Sequence, residues 1–231
     1  MKRILLKLSG EALAGDKHTG FDEATCVRVA GQVKSLVDEG YEIGIVIGGG
    51  NFWRGRSSEN IDRTKADQIG MLATVMNCLY VSEIFRSQGM KTDVLTPFAV
   101  GAFTGLFSKD KANEGFAEGK VMFFAGGVGH PYFSTDTATV LRAIEIEAEE
   151  ILLAKSIDGV YDSDPKLNPN AKKYDVISIE DVVAQGLQVV DSTASILAKE
   201  NHMAMRVFHL GEENSIVNAA HGSNAGTLVT A

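Results

Sequence analysis

Three cations occupy positions that suggest a negatively charged ligand. Lys7 breaks the apolar run of "RILLKL" and is followed by Ser9 and Gly10; Lys155 closes the apolar run "EEILLAK"; Arg54 stands four residues beyond the triple glycine Gly48-Gly49-Gly50. An ammonium at the end of a buried strand is costly unless an anion neutralises it. Consecutive glycines let successive backbone N–H groups face one concavity, a nest for phosphate oxygens, and an arginine adds a planar fork of donors. Each feature alone has a plain reading: an edge lysine reaching solvent, a tight turn, a surface arginine. Together on one rim they suit a polyanion of roughly nucleotide size. Two such cradles, early and late in the chain, suit a donor and an acceptor meeting for phosphoryl transfer, where catalysis is mainly alignment and charge neutralisation.

A third glycine-rich stretch, "AGGVGHPYFSTDT", leads into a helix capped by Ser134, whose N-terminal dipole favours an anion or polar ligand; a long structural loop is the alternative. Other chemistries find no support. Gly10 and Gly15 have Walker spacing, but Asp16 holds the lysine place, and Trp53 breaks G-x-G-x-x-G after Gly48 and Gly50. There is no GxSxG and no HExxH, and the five histidines show no metal spacing. Asp158, Asp162 and Asp164 do not match a calcium loop and read as turn formers before Pro165. Cys26 and Cys78 are isolated, read as small buried residues, and point to a reducing compartment.

The elements that must position these residues alternate between short apolar runs and helical periodicity. Strands are expected at 3–8, 42–47, 92–96, 120–126, 149–155, 205–210 and 226–230. Helices are expected at 21–40, 62–88, 108–119, 134–149, 178–186, 191–201 and 213–221. Nearly all-apolar strands alternating with helices predict an α/β fold: a mostly parallel central sheet covered on both faces, an αβα sandwich. Ligands of such sheets sit beyond the strand C-termini, so the loops after 3–8, 42–47, 120–126 and 149–155 should carry the chemistry. One domain over 1–231 is expected, with an N-terminal lobe to about 150, a C-terminal lobe from about 151, and a candidate hinge at 162–171.

The 231 residues allow a real core, and the 45% hydrophobic and 23% charged content is that of a soluble globular chain. A net charge of −8 argues against nucleic-acid or membrane-surface partners, which select a basic face. The apolar run in "MKRILLKLSGEALAG" is too short for a secretory leader, and no segment reads as a run of about 18 apolar residues; a cytoplasmic protein is expected.

The stretches "RILLKLSGEAL", "GIVIGGGNFWRG", "DQIGMLATVMN", "GHPYFSTDTA", "RAIEIEAE" and "DGVYDSDP", in this order and spacing, resemble the bacterial UMP kinase family of the amino acid kinase superfamily. The resemblance runs from residue 3 to about 229. It implies the three-layer amino acid kinase fold and a homohexameric cytoplasmic enzyme of pyrimidine nucleotide synthesis. Such an enzyme converts ATP and UMP to ADP and UDP with magnesium carried by ATP rather than by side-chain ligands. UTP as inhibitor and GTP as activator are implied, the latter on the variable segment Gly15–Gly20. On the ATP side the resemblance places Lys7, Leu8, Ser9, Gly10, Gly50, Arg54, Lys155, Tyr161 (against adenine) and Asp164. On the UMP side it places Gly49, Asp67 (at the ribose hydroxyls) and the loop Val128, Gly129, His130, Pro131, Tyr132, Phe133, Ser134 and Thr135. Lys7, Arg54 and Asp136 are implied at the point of transfer; Asp191 matches a further acid whose role stays open. The loop has Val128-Gly129-His130-Pro131 where the family often has Thr-Gly-Asn-Pro, so uracil would be held by backbone groups or His130. The UMP phosphate is largely dianionic at pH 7, with a second pKa near ~6, so no general base is needed. A superfamily kinase with another small acceptor, and a nucleotide-binding regulator without turnover, are the alternatives.

Overall fold

A computed structural model describes residues 2–54, 60–223 and 226–231. Gly55, which ends one of the motifs above, lies outside the described residues. The chain runs β1 (Arg3–Leu8), α1 (Gly10–Ala14), a 3-10 turn (Gly15–Lys17), α2 (Glu23–Asp38), β2 (Glu42–Ile47), α3 (Arg63–Ser87), β3 (Lys91–Thr96), β4 (Gly105–Leu106), α4 (Lys109–Ala117), β5 (Lys120–Phe124) and α5 (Thr135–Glu145). It continues with β6 (Glu150–Lys155), β7 (Val160–Tyr161), β8 (Lys173–Tyr174), β9 (Val176–Ser178), α6 (Ile179–Ala184), α7 (Ser192–Glu200), β10 (Met205–His209), α8 (Ser215–Ala220) and β11 (Thr227–Thr230).

Among the described residues nine strands form one sheet in the order β4-β3-β5-β2-β1-β6-β10-β11-β9. Strands β1 to β6 and β10 run parallel, while β11 pairs antiparallel with β10 and carries β9 parallel to itself at the edge. Alternation of side chains sends Ile4, Leu6 and Leu8 to one face, under α2, α3 and α8, and Leu5, Val46 and Leu153 to the other, under α4, α5, α6 and α7. The result is the expected three-layer sandwich.

Helix starts follow their caps: Asp22 accepts from Thr25 N, Asp62 from Lys65 N and Ser134 from Thr137 N. The helix expected to run to 149 stops at Glu145. Glu147 turns left-handed (φ 55°), and the backbone N–H of Glu149 then bonds Arg3 O at 2.8 Å to start the next strand. The segment expected to be helical from 178 begins at Ile179, after the edge strand β9. Helix α3 is long and apolar enough by composition to cross a membrane, which reading for uninterrupted apolar runs missed. Its Val75, Cys78, Val81 and Phe85 are packed into the core against the sheet.

Candidate active site

The four strands singled out for chemistry, β5, β2, β1 and β6, are adjacent and parallel, so their C-termini open on one edge. Strand β1 lies centrally, with β2 on one side and β6 on the other, and the connections diverge at its C-terminal end, where α/β sheets bind ligands.

The first two loops are stitched together. Gly48 N donates to Leu8 O at 3.0 Å. Below them Asn51 and Asn77, both buried, exchange amide hydrogen bonds of 3.0 and 2.7 Å; Asn77 Nδ2 also holds Gly48 O at 2.7 Å and Asn51 Nδ2 holds Gly20 O at 2.8 Å. Gly10 has no room for a side chain: a Cβ there would lie 2.4 Å from both Asn51 Oδ1 and Gly48 O. Arg54 forms an ion pair with Glu11 across the mouth, on exposed surface. Trp53 Nε1 donates to Ala66 O at 2.8 Å and ties the glycine corner to the first turns of α3.

Beside this corner lies a cavity of about 390 Å³ lined in part by Gly49, Gly50, Arg54, Asp67, Val128 and His130. Phe133, Ser134 and Thr135 complete its far wall. Asp67 Oδ2 accepts hydrogen bonds from Arg63 Nε and from the backbone N–H of Tyr132, both 2.8 Å. Gly129, Pro131 and Tyr132 do not line the cavity, and Tyr132 is mostly exposed. Gly50 and Arg54, expected on the donor side, line this cavity, because the corner turns toward α3 after Gly49.

On the other side of β1, two cavities of about 650 and 640 Å³ share Lys155 and the segment Gly186–Val189. Asp136 and Asp191 line the first, Tyr161 and Asp164 the second. Tyr161 is steadied by its hydroxyl donating to Asp158 Oδ1 at 2.8 Å.

Between the cavities the charges meet. Lys7 Nζ lies 3.0 Å from Asp136 Oδ1, and that oxygen is buried and takes no hydrogen bond. The contact is therefore one of charge rather than of directed bonding. Lys155 donates to Val189 O. Burial lowers its pKa from the ordinary lysine value; Asp136 opposes that shift and Lys7 adds to it. Asp191, whose role was open, caps α7 through Thr193 N and Ala194 N and receives the hydroxyls of Ser134 and Thr137. Burial pushes its pKa up, but these hydrogen bonds outweigh it and hold the carboxyl below its ordinary value. The 128–135 loop is thereby fastened to the side of β1 that carries the two larger cavities.

The structure therefore brings Lys7, Ser9, Gly10, Gly49, Gly50, Arg54, Asp67, Asp136, Lys155 and Asp191 to one edge. Sequence reading missed Glu11, Asn51, Asn77 and Arg63. Asn77 left a signal as an amide among the buried positions of α3, and Arg63 as a cation four residues before Asp67 on an expected helix; Glu11 and Asn51 left none without the fold. Among the described residues no three His, Cys, Asp or Glu side chains gather as a metal site.

The amino acid kinase family model matches residues 2–209. Among solved structures, the UMP kinase from Bacillus anthracis is 38% identical, with a TM-score of 0.95 over 99% of this chain and 96% of its own. The UMP kinase from Ureaplasma parvum is 35% identical, also at 0.95, over 100% and 99%. The uridylate kinase from Archaeoglobus fulgidus is more distant, at 25% identity and 0.75 over 99% and 100%.

Proposed function

The chain belongs to the amino acid kinase family, in the branch whose solved relatives are UMP kinases, and on that premise we propose that it transfers the γ-phosphoryl group of ATP to UMP. The observation that carries this reading is the convergence of Lys7, the glycine corner, Asp136 and Lys155 at one edge between two sets of cavities.

In this reading UMP occupies the smaller cavity, with its phosphate at the amides of Gly49 and Gly50 and its ribose at Asp67. Val128, His130, Phe133, Ser134 and Thr135, the loop residues that line this cavity, face the base. ATP lies along Lys155, Tyr161 and Asp164, with its phosphates reaching Lys7, Leu8, Ser9 and Gly10. The acceptor is already nucleophilic as a dianion. The protein's task is to hold two polyanions against their repulsion, and Lys7, Arg54 and the loop amides lower that repulsion. Glu11 occupies Arg54 until a phosphate replaces it. Asp136 keeps the Lys7 ammonium aimed at the transfer point.

Magnesium fits this site in one way. The expected carriage of magnesium by ATP alone gains one candidate side-chain ligand: Asp136 Oδ1 is buried, takes no hydrogen bond and faces Lys7 Nζ at 3.0 Å, and a hard cation that takes most of its ligands from nucleotide phosphates needs only one or two carboxylates. Bound there, it would neutralise phosphate charge. We further propose cytoplasmic action in pyrimidine nucleotide synthesis, with an acceptor lobe to about 150 and a donor lobe beyond it. A homohexamer inhibited by UTP and activated by GTP completes the reading. The partly exposed Ile69, Leu72 and Met76 of α3 offer an apolar face for subunit contact.

An ADP-release assay with UMP, CMP, acetylglutamate and isopentenyl phosphate tests the assignment. Turnover with UMP at least tenfold above the others is expected. Turnover with another acceptor instead, or binding of UMP and ATP without product, would refute it.

A further inference from the structure

We propose that Arg63 is a positioning residue that sets the acceptor site's preference for ribose over deoxyribose, an inference that rests on the UMP reading above. Arg63 is the first residue of α3, and its place is not explained by helix energetics. Asp62 caps α3, but beyond that cap the first turn carries no acid, so Arg63 and Lys65 add positive charge at the positive end of the helix dipole. A cation four residues before its acid is also the weaker ordering of such a pair. A locally unfavourable choice calls for an explanation in what the side chain touches.

Arg63 touches two things. Its Nε donates to Asp67 Oδ2 at 2.8 Å, and its guanidinium lies over the Tyr132 ring, 5.2 Å from the centroid. Tyr132 in turn donates its backbone N–H to the same Oδ2 at 2.8 Å. Tyr132 sits at φ 72°, a left-handed conformation that an aromatic residue rarely adopts. Arg63 thus joins the start of α3 to the strained turn of the 128–135 loop through a single carboxylate oxygen. With two donors fixed on Oδ2, the Asp67 carboxylate cannot rotate, and Oδ1 is left to meet a sugar hydroxyl in a set direction. The side chain of Asp67 is 15% exposed and that of Arg63 37%, so the clamp sits at the cavity's wall rather than free in solvent. A carboxylate held still rejects a sugar lacking its partner hydroxyl, because its own oxygen is then left unpaired. A carboxylate free to turn to water does so less.

The test compares kcat and KM for UMP and dUMP, and KM for ATP, in the wild type, Arg63→Met, Arg63→Lys and Tyr132→Gly. In Arg63→Met the UMP/dUMP ratio of kcat/KM is expected to fall about tenfold, the size of one hydrogen bond to a charged group. The fall should come through KM for UMP, with kcat and KM for ATP within about twofold. Arg63→Lys should fall similarly, because an ammonium keeps the charge but cannot stack and donate from a rigid fork. Tyr132→Gly keeps the backbone donor and the left-handed turn without strain but removes the ring beneath Arg63, so it should lose part of the discrimination, and it carries the test with Arg63→Lys if Arg63→Met fails to unfold cooperatively. Ratios unchanged in all three variants, or equal losses on UMP and dUMP as a merely structural defect would give, would overturn the inference. A wild-type protein with no turnover on UMP would overturn the parent reading and this one with it.

Discussion

Gly10→Ala is a one-methyl perturbation aimed at the junction of the loops after β1 and β2, which the proposed function sets against the phosphates. The added Cβ would lie 2.4 Å from Asn51 Oδ1 and from Gly48 O, where ordinary contact begins at 3.4 Å. One obstacle is backbone, and the other is a buried amide locked to Asn77. Neither can swing aside, so the loops after β1 and β2 must separate by about 1 Å. A misplacement of that size in a reaction governed by alignment costs on the order of 10²-fold in turnover. Overpacking of this kind costs about 1–3 kcal/mol. For a chain of this length that lowers Tm by roughly 2–12 °C, which leaves a folded protein to assay. Gly31→Ala serves as the control. Gly31 is an exposed residue within α2, its nearest foreign atom would be 4.0 Å away, and alanine there should stabilise by about 0.5–1 kcal/mol. The assay is ADP release at saturating UMP and ATP, with thermal unfolding of both variants. Wild-type turnover in a Gly10→Ala protein with a lowered Tm would refute the reasoning, because it would mean that the spacing of these loops does not govern transfer.

Lys7→Ala should lower kcat by about 10²–10³, the range for removing one preorganised charge contact, with far-ultraviolet circular dichroism unchanged. Lys155→Met should raise the Tm of the ligand-free protein by a few °C at neutral pH while weakening ATP binding. The folded-state pKa of Lys155 is lowered mainly by burial, so below it the full cost of a buried ammonium is present, and that cost fades as pH rises toward the ordinary lysine value. Asp191→Ala should destabilise by about 1–2 kcal/mol through loss of the α7 cap and should loosen the 128–135 loop, seen as faster amide exchange there. Because the folded pKa of Asp191 is lowered, its contribution is complete above the unfolded value of about 3.9 and is lost as pH falls through the folded one. The wild-type advantage in Tm should therefore hold from pH 6 to 8 and shrink below about pH 4.

Much of the layout was legible because its causes are local. Apolar runs ending at or near glycine marked β1, β2 and β5, the apolar run closed by Lys155 marked β6, and the cap Ser134 marked the start of α5. Once these strands were read as parallel, the loops to examine followed from topology alone. What escaped was set by non-local pairing or by very short elements. The five-residue α1, the two-residue β4 and the β7–β8 pair have too few residues to show a period. Edge strand β9 exists because β11 offers it a partner. The same holds within the site: Lys7 and the glycines announce a phosphate cradle by type. The Asn51–Asn77 pair and the Asp67–Tyr132 contact join residues 26 and 65 positions apart, which no spacing rule reaches, although Arg63 and Asp67 stand only four apart. Cys26 and Cys78 are the small buried residues they were read as; burial pushes their thiols up to about 11 and about 12, away from reactivity.

The most direct measurement is a crystal structure with UMP and a non-hydrolysable ATP analogue bound together. A UMP phosphate oxygen about 3–3.5 Å from the terminal phosphorus, with Lys7 and the amides of Gly10 and Gly49 against the phosphates, is the expected result. The two phosphates on separate surfaces, or both nucleotides competing for one cavity, would contradict it.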